Sequence, residues 1–64
     1  MIFKRIKQLR IKHNLSQKEI SEELNVKRST YTLYELGTIL IPTAYIYKIA
    51  KKLNYSLDYI ITKK

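Results

Sequence analysis

The chain has 64 residues and no cysteine, and 13 Lys+Arg against 5 Asp+Glu give it a formal charge of +8. That length predicts one domain, residues 1–64, with a single small core that no disulfide supports. A core this small leaves little room for a closed pocket with a buried catalytic set, so composition excludes most enzyme classes.

No apolar run approaches the ~18 residues a membrane span needs, and charge at Lys4 and Arg5 interrupts any signal-peptide pattern. A cytoplasmic location follows as an expectation. One Gly and one Pro argue against a linker or a hairpin-rich β protein. The expectation is therefore an all-α binding module, and the charge points to a polyanionic partner.

Punctuation divides the chain into five short helices, at about 3–13, 16–24, 27–36, 43–53 and 56–62. In the first, Ile6, Leu9, Arg10 and His13 share one side, and Asn14 suits the left-handed residue that closes a helix. His13 is expected to pack, or to favour the negative helix end, with no metal or catalytic group beside it.

Ser16 followed by Glu19 is a capping box, and Leu15 with Ile20 a hydrophobic staple. Ile20 and Leu24 then face inward, Ser21 is small enough for a close crossing, and Asn25 ends the second helix. Glu22 and Glu23 are spaced for solvation rather than paired acid–base chemistry.

The third helix ends at Gly37, which accepts a positive φ. Its period puts Val26, Thr30, Tyr31 and Tyr34 on one side and Arg28, Ser29, Thr32, Leu33 and Leu36 on the other. The fourth follows Pro42, which either precedes Thr43 as the cap or takes the first helical position itself. Ile46, Ile49, Ala50 and Leu53 repeat at i, i+3, i+4 and i+7, a core stripe. Tyr55-Ser56 opens a last helix, with Asp58 at its positive end and Tyr55 and Ile60 as a second staple.

A three-to-four-residue connection at Asn25-Val26-Lys27 has the length a helix-turn-helix requires. Leu15-Ser16-Gln17, Ser21, Val26 and Tyr34-Glu35-x-Gly37 resemble the lambda-repressor-like helix-turn-helix family of phage repressors, Cro proteins and xenobiotic-response-element regulators. Arg10, Ile49-Ala50 and Leu53-Asn54-Tyr55-Ser56-Leu57-Asp58-Tyr59 extend the resemblance over nearly the whole chain.

The resemblance implies a compact five-helix DNA-binding domain with no cofactor and no metal. It implies that the third helix lies in the major groove, with Arg28, Ser29, Thr32 and Leu33 reading bases. Arg28 is the strongest base reader, because its fork can grip guanine O6 and N7. Phosphate contacts are implied for Gln17, Ser16 and Lys27, with Arg10 and Thr38 as further candidates. Arg10 and Glu35 are implied to form a partly buried structural ion pair.

Three features depart from the family pattern. Lys27 stands where many members have a capping Ser or Thr. Leu36 replaces a polar or basic residue, and the loop Thr38-Ile39-Leu40-Ile41 lacks basic side chains.

Residues 1–18 carry +6, residues 19–35 carry −2 and residues 36–64 carry +4. Such asymmetry favours electrostatic steering toward DNA. The 39–41 loop cannot be buried whole beneath so short a connection. Leu40 and Tyr47, or Leu57 and Ile61 near the end of the last helix, are candidate dimer contacts. The expected function is a sequence-specific regulator of the repressor type, a homodimer on a palindromic operator. The alternative is a protein-interaction module, such as an antitoxin-like subunit using the apolar 39–47 region on a protein partner.

Overall fold

The computed structural model describes residues 2–62. Among them are five α-helices and no strand: α1 (Ile2–Lys12), α2 (Gln17–Leu24), α3 (Arg28–Leu36), α4 (Thr43–Leu53) and α5 (Leu57–Thr62). Helix α1 includes Ile2 and stops at Lys12, so His13 lies in the turn rather than in the helix. Lys27 is the N-cap of α3 and not its first residue.

One device closes the first four helices. Asn14, Asn25, Gly37 and Asn54 have φ of 58, 59, 76 and 65°, the left-handed region. The amide after each bonds back to a carbonyl five residues earlier: Leu15 to Arg10, Val26 to Ser21, Thr38 to Leu33 and Tyr55 to Ala50. This Schellman arrangement satisfies carbonyls that a helix end otherwise leaves open. Asn serves at three of the positions because it tolerates αL. Gly37 is different: a Cβ there would lie 2.9 Å from the Phe3 ring. Any other residue there would strain at this φ and push the Phe3 ring aside.

Helix starts use equally local chemistry. Ser16 Oγ accepts from the Glu19 amide at 3.0 Å, and the Glu19 carboxylate accepts from the Ser16 amide at 2.8 Å, closing the capping box. Ser56 Oγ accepts from the Tyr59 amide at 3.1 Å. At α4, Pro42 is itself the cap and Thr43 the first helical residue, unlike either expected arrangement. The Pro42 carbonyl accepts from Tyr45 and Ile46 at 2.9 and 3.2 Å. A proline suits the cap because its φ is fixed and no amide is needed there.

The core draws on every helix: Ile6 and Leu9, Ile20 and Leu24, Tyr31 and Tyr34, the Ile46–Ile49–Ala50–Leu53 stripe, and Ile60. Burying each large side chain contributes about 1.5–3 kcal/mol before entropy is counted. Helix α3 packs on α1 and α2, α4 on α2 and α5, and α1 also on α5. Ser21 is buried, with its hydroxyl donating to the Lys18 carbonyl at 2.9 Å. Leu15, Val26, Tyr55 and Leu57 pack half-buried around this centre.

The α1–α5 seam carries contacts that periodicity does not reveal. The Arg5 guanidinium stands 4.4 Å from the Tyr59 ring centre and reaches the Tyr59 carbonyl at 3.4 Å. Tyr59 stacks on Tyr55 at 4.9 Å, and exposed His13 meets Tyr55 edge-on, with Nε2 2.9 Å from the phenol oxygen.

Candidate nucleic-acid interface

Helix α3 is buried on one side through Tyr31, Tyr34 and Glu35. Its other side is open: Arg28, Ser29 and Leu33 are exposed, Thr32 is half-buried, and Leu36 lies farther along. The first turn of α3 has no acidic residue, and Lys27 supplies no side-chain hydrogen bond to cap it. The other two Asn–apolar junctions carry Ser16 and Ser56 at this position, so α3 alone of the three presents a basic, side-chain-uncapped end. Free amides and the positive helix end there favour an anion.

A chain of polar contacts fixes this face against α1 and α2. Arg10 grips Glu35 with two nitrogens, Nε to Oε2 at 2.6 Å and Nη2 to Oε1 at 3.2 Å. Its third nitrogen, Nη1, donates to the Leu15 carbonyl at 2.8 Å. Gln17 Nε2 donates to Glu35 Oε1 at 3.1 Å. The Thr32 hydroxyl lies 3.1 Å from Gln17 Oε1 and 3.0 Å from the Arg28 carbonyl. Thus the start of α2, the middle of α3 and the end of α3 share one network.

Its electrostatics are those of a sheltered ion pair, with side-chain exposures of 12% for Arg10 and 3% for Glu35. Burial works against the Glu35 carboxylate, but Arg10, then the neighbouring Tyr31 phenol and Gln17, prevail and hold its pKa below the ordinary value. The hydrogen bond to Glu35 raises Arg10 against the opposing effect of burial. Burial, followed by the adjacent Glu35, pushes the Tyr31 phenol upward. A half-exposed pair, Lys52 to Glu23 at 3.3 Å, contributes only about 0–1 kcal/mol by comparison.

A family model described as helix-turn-helix matches residues 6–60, most of the chain. The chain belongs to the lambda-repressor-like helix-turn-helix family. No curated protein and no solved structure matches it. As a member of this helix-turn-helix family it is a DNA-binding regulator, and α2 and α3 are the two helices joined by the turn at residues 25–27. No helix among the described residues is long and apolar enough to cross a membrane.

The residues expected from the sequence to meet phosphate stand in unlike settings. Lys27 is exposed at the open end of α3. Ser16 accepts within the capping box, which leaves its hydroxyl proton free to donate. Gln17 is half-buried and turned toward Glu35, with one amide hydrogen left over. Arg10 is held inward by three hydrogen-bonded nitrogens. The Thr38 amide is consumed by the Leu33 carbonyl, so Thr38 itself has only its hydroxyl left to donate.

The two candidate dimer patches also differ. Leu40 is 94% exposed and Tyr47 51%, whereas Ile61 is 38% exposed and Leu57 is half-buried against the core. Sequence periodicity places Thr32 on the outer side and gives no sign of its bond to Gln17. Nor does it signal the Arg5–Tyr59 contact, whose partners lie 54 positions apart.

Proposed function

We propose that the protein is a transcriptional repressor that binds a specific double-stranded DNA site with α3 in the major groove. The observation that carries this reading is the network joining Arg10, Glu35, Gln17 and Thr32. It makes the first turn of α2 and the open face of α3 one rigid surface. A base-reading residue must be held in register with the phosphates on either side of the groove, and a shared network supplies that register.

In this reading Arg28 grips a guanine, and Ser29, Thr32 and Leu33 complete the base contacts. The Thr32 proton is engaged inside the protein, so its methyl group and an oxygen lone pair are what it offers a base. Lys27 and the open amides of α3 hold one phosphate; Ser16 and Gln17 at the start of α2 hold another. The protein works in the cytoplasm as a homodimer on a palindromic operator and represses by occupying it.

Titrating the isotopically labelled chain with a duplex, while following its amide resonances, tests the assignment. Shifts concentrated at residues 16–18 and 27–33 are expected. Shifts concentrated at residues 39–47, with α3 undisturbed, would overturn it.

A further inference from the structure

Thr32 lies one turn beyond Arg28 on the same side of α3, half-buried where the polar network meets the open face. Its hydroxyl has one proton to give and two lone pairs with which to accept. Which of these faces outward decides which bases it can meet. The network fixes that choice from inside the protein.

The direction is set at Glu35. An ionised carboxylate has acceptors only, and Arg10 supplies donors to both of its oxygens. The Gln17 atom 3.1 Å from Glu35 Oε1 must therefore be the amide nitrogen, because a carbonyl oxygen there would face the carboxylate with no proton between them. With its nitrogen committed to Glu35, Gln17 turns its carbonyl oxygen toward Thr32, at 3.1 Å. That oxygen cannot donate, so the proton between the two comes from Thr32. The Arg28 carbonyl, 3.0 Å away, draws the same proton inward. Among the described residues no group donates to the Thr32 oxygen in return.

We propose that Gln17 sets base specificity through Thr32: it holds the Thr32 hydroxyl as a fixed acceptor, and the base pair that Thr32 meets is A·T. This rests on the reading of α3 as the recognition helix and names the sequence class that one of its residues selects. Adenine N6 and cytosine N4 are the only hydrogen-bond donors in the major groove; guanine and thymine present acceptors alone. A hydroxyl whose proton is turned inward therefore repels guanine O6 and N7 and thymine O4, and accepts from an amino group. Between the two amino-bearing bases the Thr32 methyl group decides. Adenine's partner thymine carries a C5-methyl group for it to pack on, whereas a cytosine–guanine pair has none.

Selecting duplexes from a random DNA pool, near physiological salt, with the full chain and three variants tests the proposal. The parent is expected to enrich an A·T position whose preference Thr32→Val relaxes by about three- to tenfold, the worth of one hydrogen bond. Valine keeps the shape and a methyl group but loses the acceptor. Thr32→Ser keeps the acceptor and loses the methyl group, so it should still reject guanine and thymine there but admit cytosine beside adenine. Gln17→Leu should relax the same position, over and above the uniform loss that a missing phosphate contact brings to every duplex. Melting temperatures above that of the assay establish that each variant is folded.

An enriched site in which the position sensitive to Thr32→Val is G·C, or in which no position is sensitive to it, overturns the proposal. So does serine relaxing that position as far as valine does. A uniform loss with Gln17→Leu, the A·T preference intact, overturns the role given to Gln17. Each of these outcomes leaves α3 as the reading helix. A pool with no enriched position at all would overturn that reading, and this proposal with it.

Discussion

The Gln17 side-chain amide donates to the Glu35 carboxylate at 3.1 Å, tying the first residue of α2 to the last turn of α3. Arg10 holds the same carboxylate through both of its oxygens. Glu35 is therefore the hub on which the orientation of the helix-turn-helix unit depends. Removing it strands a sheltered guanidinium and frees Gln17 together.

Glu35→Ala is predicted to cost about 3 kcal/mol, because it breaks a pair whose partner is left with little water. For a domain of this size that is a fall in melting temperature of roughly 12–24 °C. Thermal unfolding followed by circular dichroism measures it. A change of only a degree or two would show that the pair behaves as a surface contact.

The same carboxylate predicts a pH dependence. Its folded-state pKa is depressed, so between the two pKa values the unfolded chain binds more protons than the folded one. The stabilisation is fully present above the unfolded pKa, near 4.3, and is lost as pH falls through the folded value. Melting temperatures recorded between about pH 2 and pH 5 should fall toward acid. Glu35→Gln should flatten part of that slope; an unchanged slope would count against the assignment.

Lys27 predicts a conflict between stability and function. Lys27→Ser would supply the side-chain cap that α3 lacks, worth about 1 kcal/mol. The melting temperature should rise while DNA affinity falls for every duplex and the salt dependence becomes shallower by about one ion. Stabilisation with affinity unchanged would remove Lys27 from the phosphate contacts.

Arg28→Ala separates reading from holding. It is predicted to cost about 1–3 kcal/mol at one base pair and to relax preference there, leaving the melting temperature almost unchanged. Binding assays against duplexes varied one position at a time check this. A uniform loss over all duplexes would make Arg28 a phosphate contact.

The helix ends were legible in the sequence because their causes are local. Asn14-Leu15-Ser16 and Asn54-Tyr55-Ser56 each encode a left-handed stop, an apolar anchor and a new cap within three residues. The core stripe on α4 was equally plain from its spacing. Pro42 was harder, since its fixed φ is compatible with both the cap and the first turn.

The Arg10–Glu35 pair was expected through family resemblance, not through periodicity, because its partners lie 25 positions apart. The sequence offers Gln17 and Thr32 only as separate contacts to DNA. Their bond to each other depends on how α2 and α3 cross, which no local pattern states. An apolar groove beside Leu40 is invisible for the same reason: α1, α3, α4 and a loop each supply part of it.

Selection of bound duplexes from a random DNA pool, near physiological salt, tests the central claim most directly. Low salt would enrich any basic protein on any DNA. Enrichment of two inverted half-sites centred roughly ten base pairs apart is expected, lost with Arg28→Ala. No enrichment by the folded chain would contradict it.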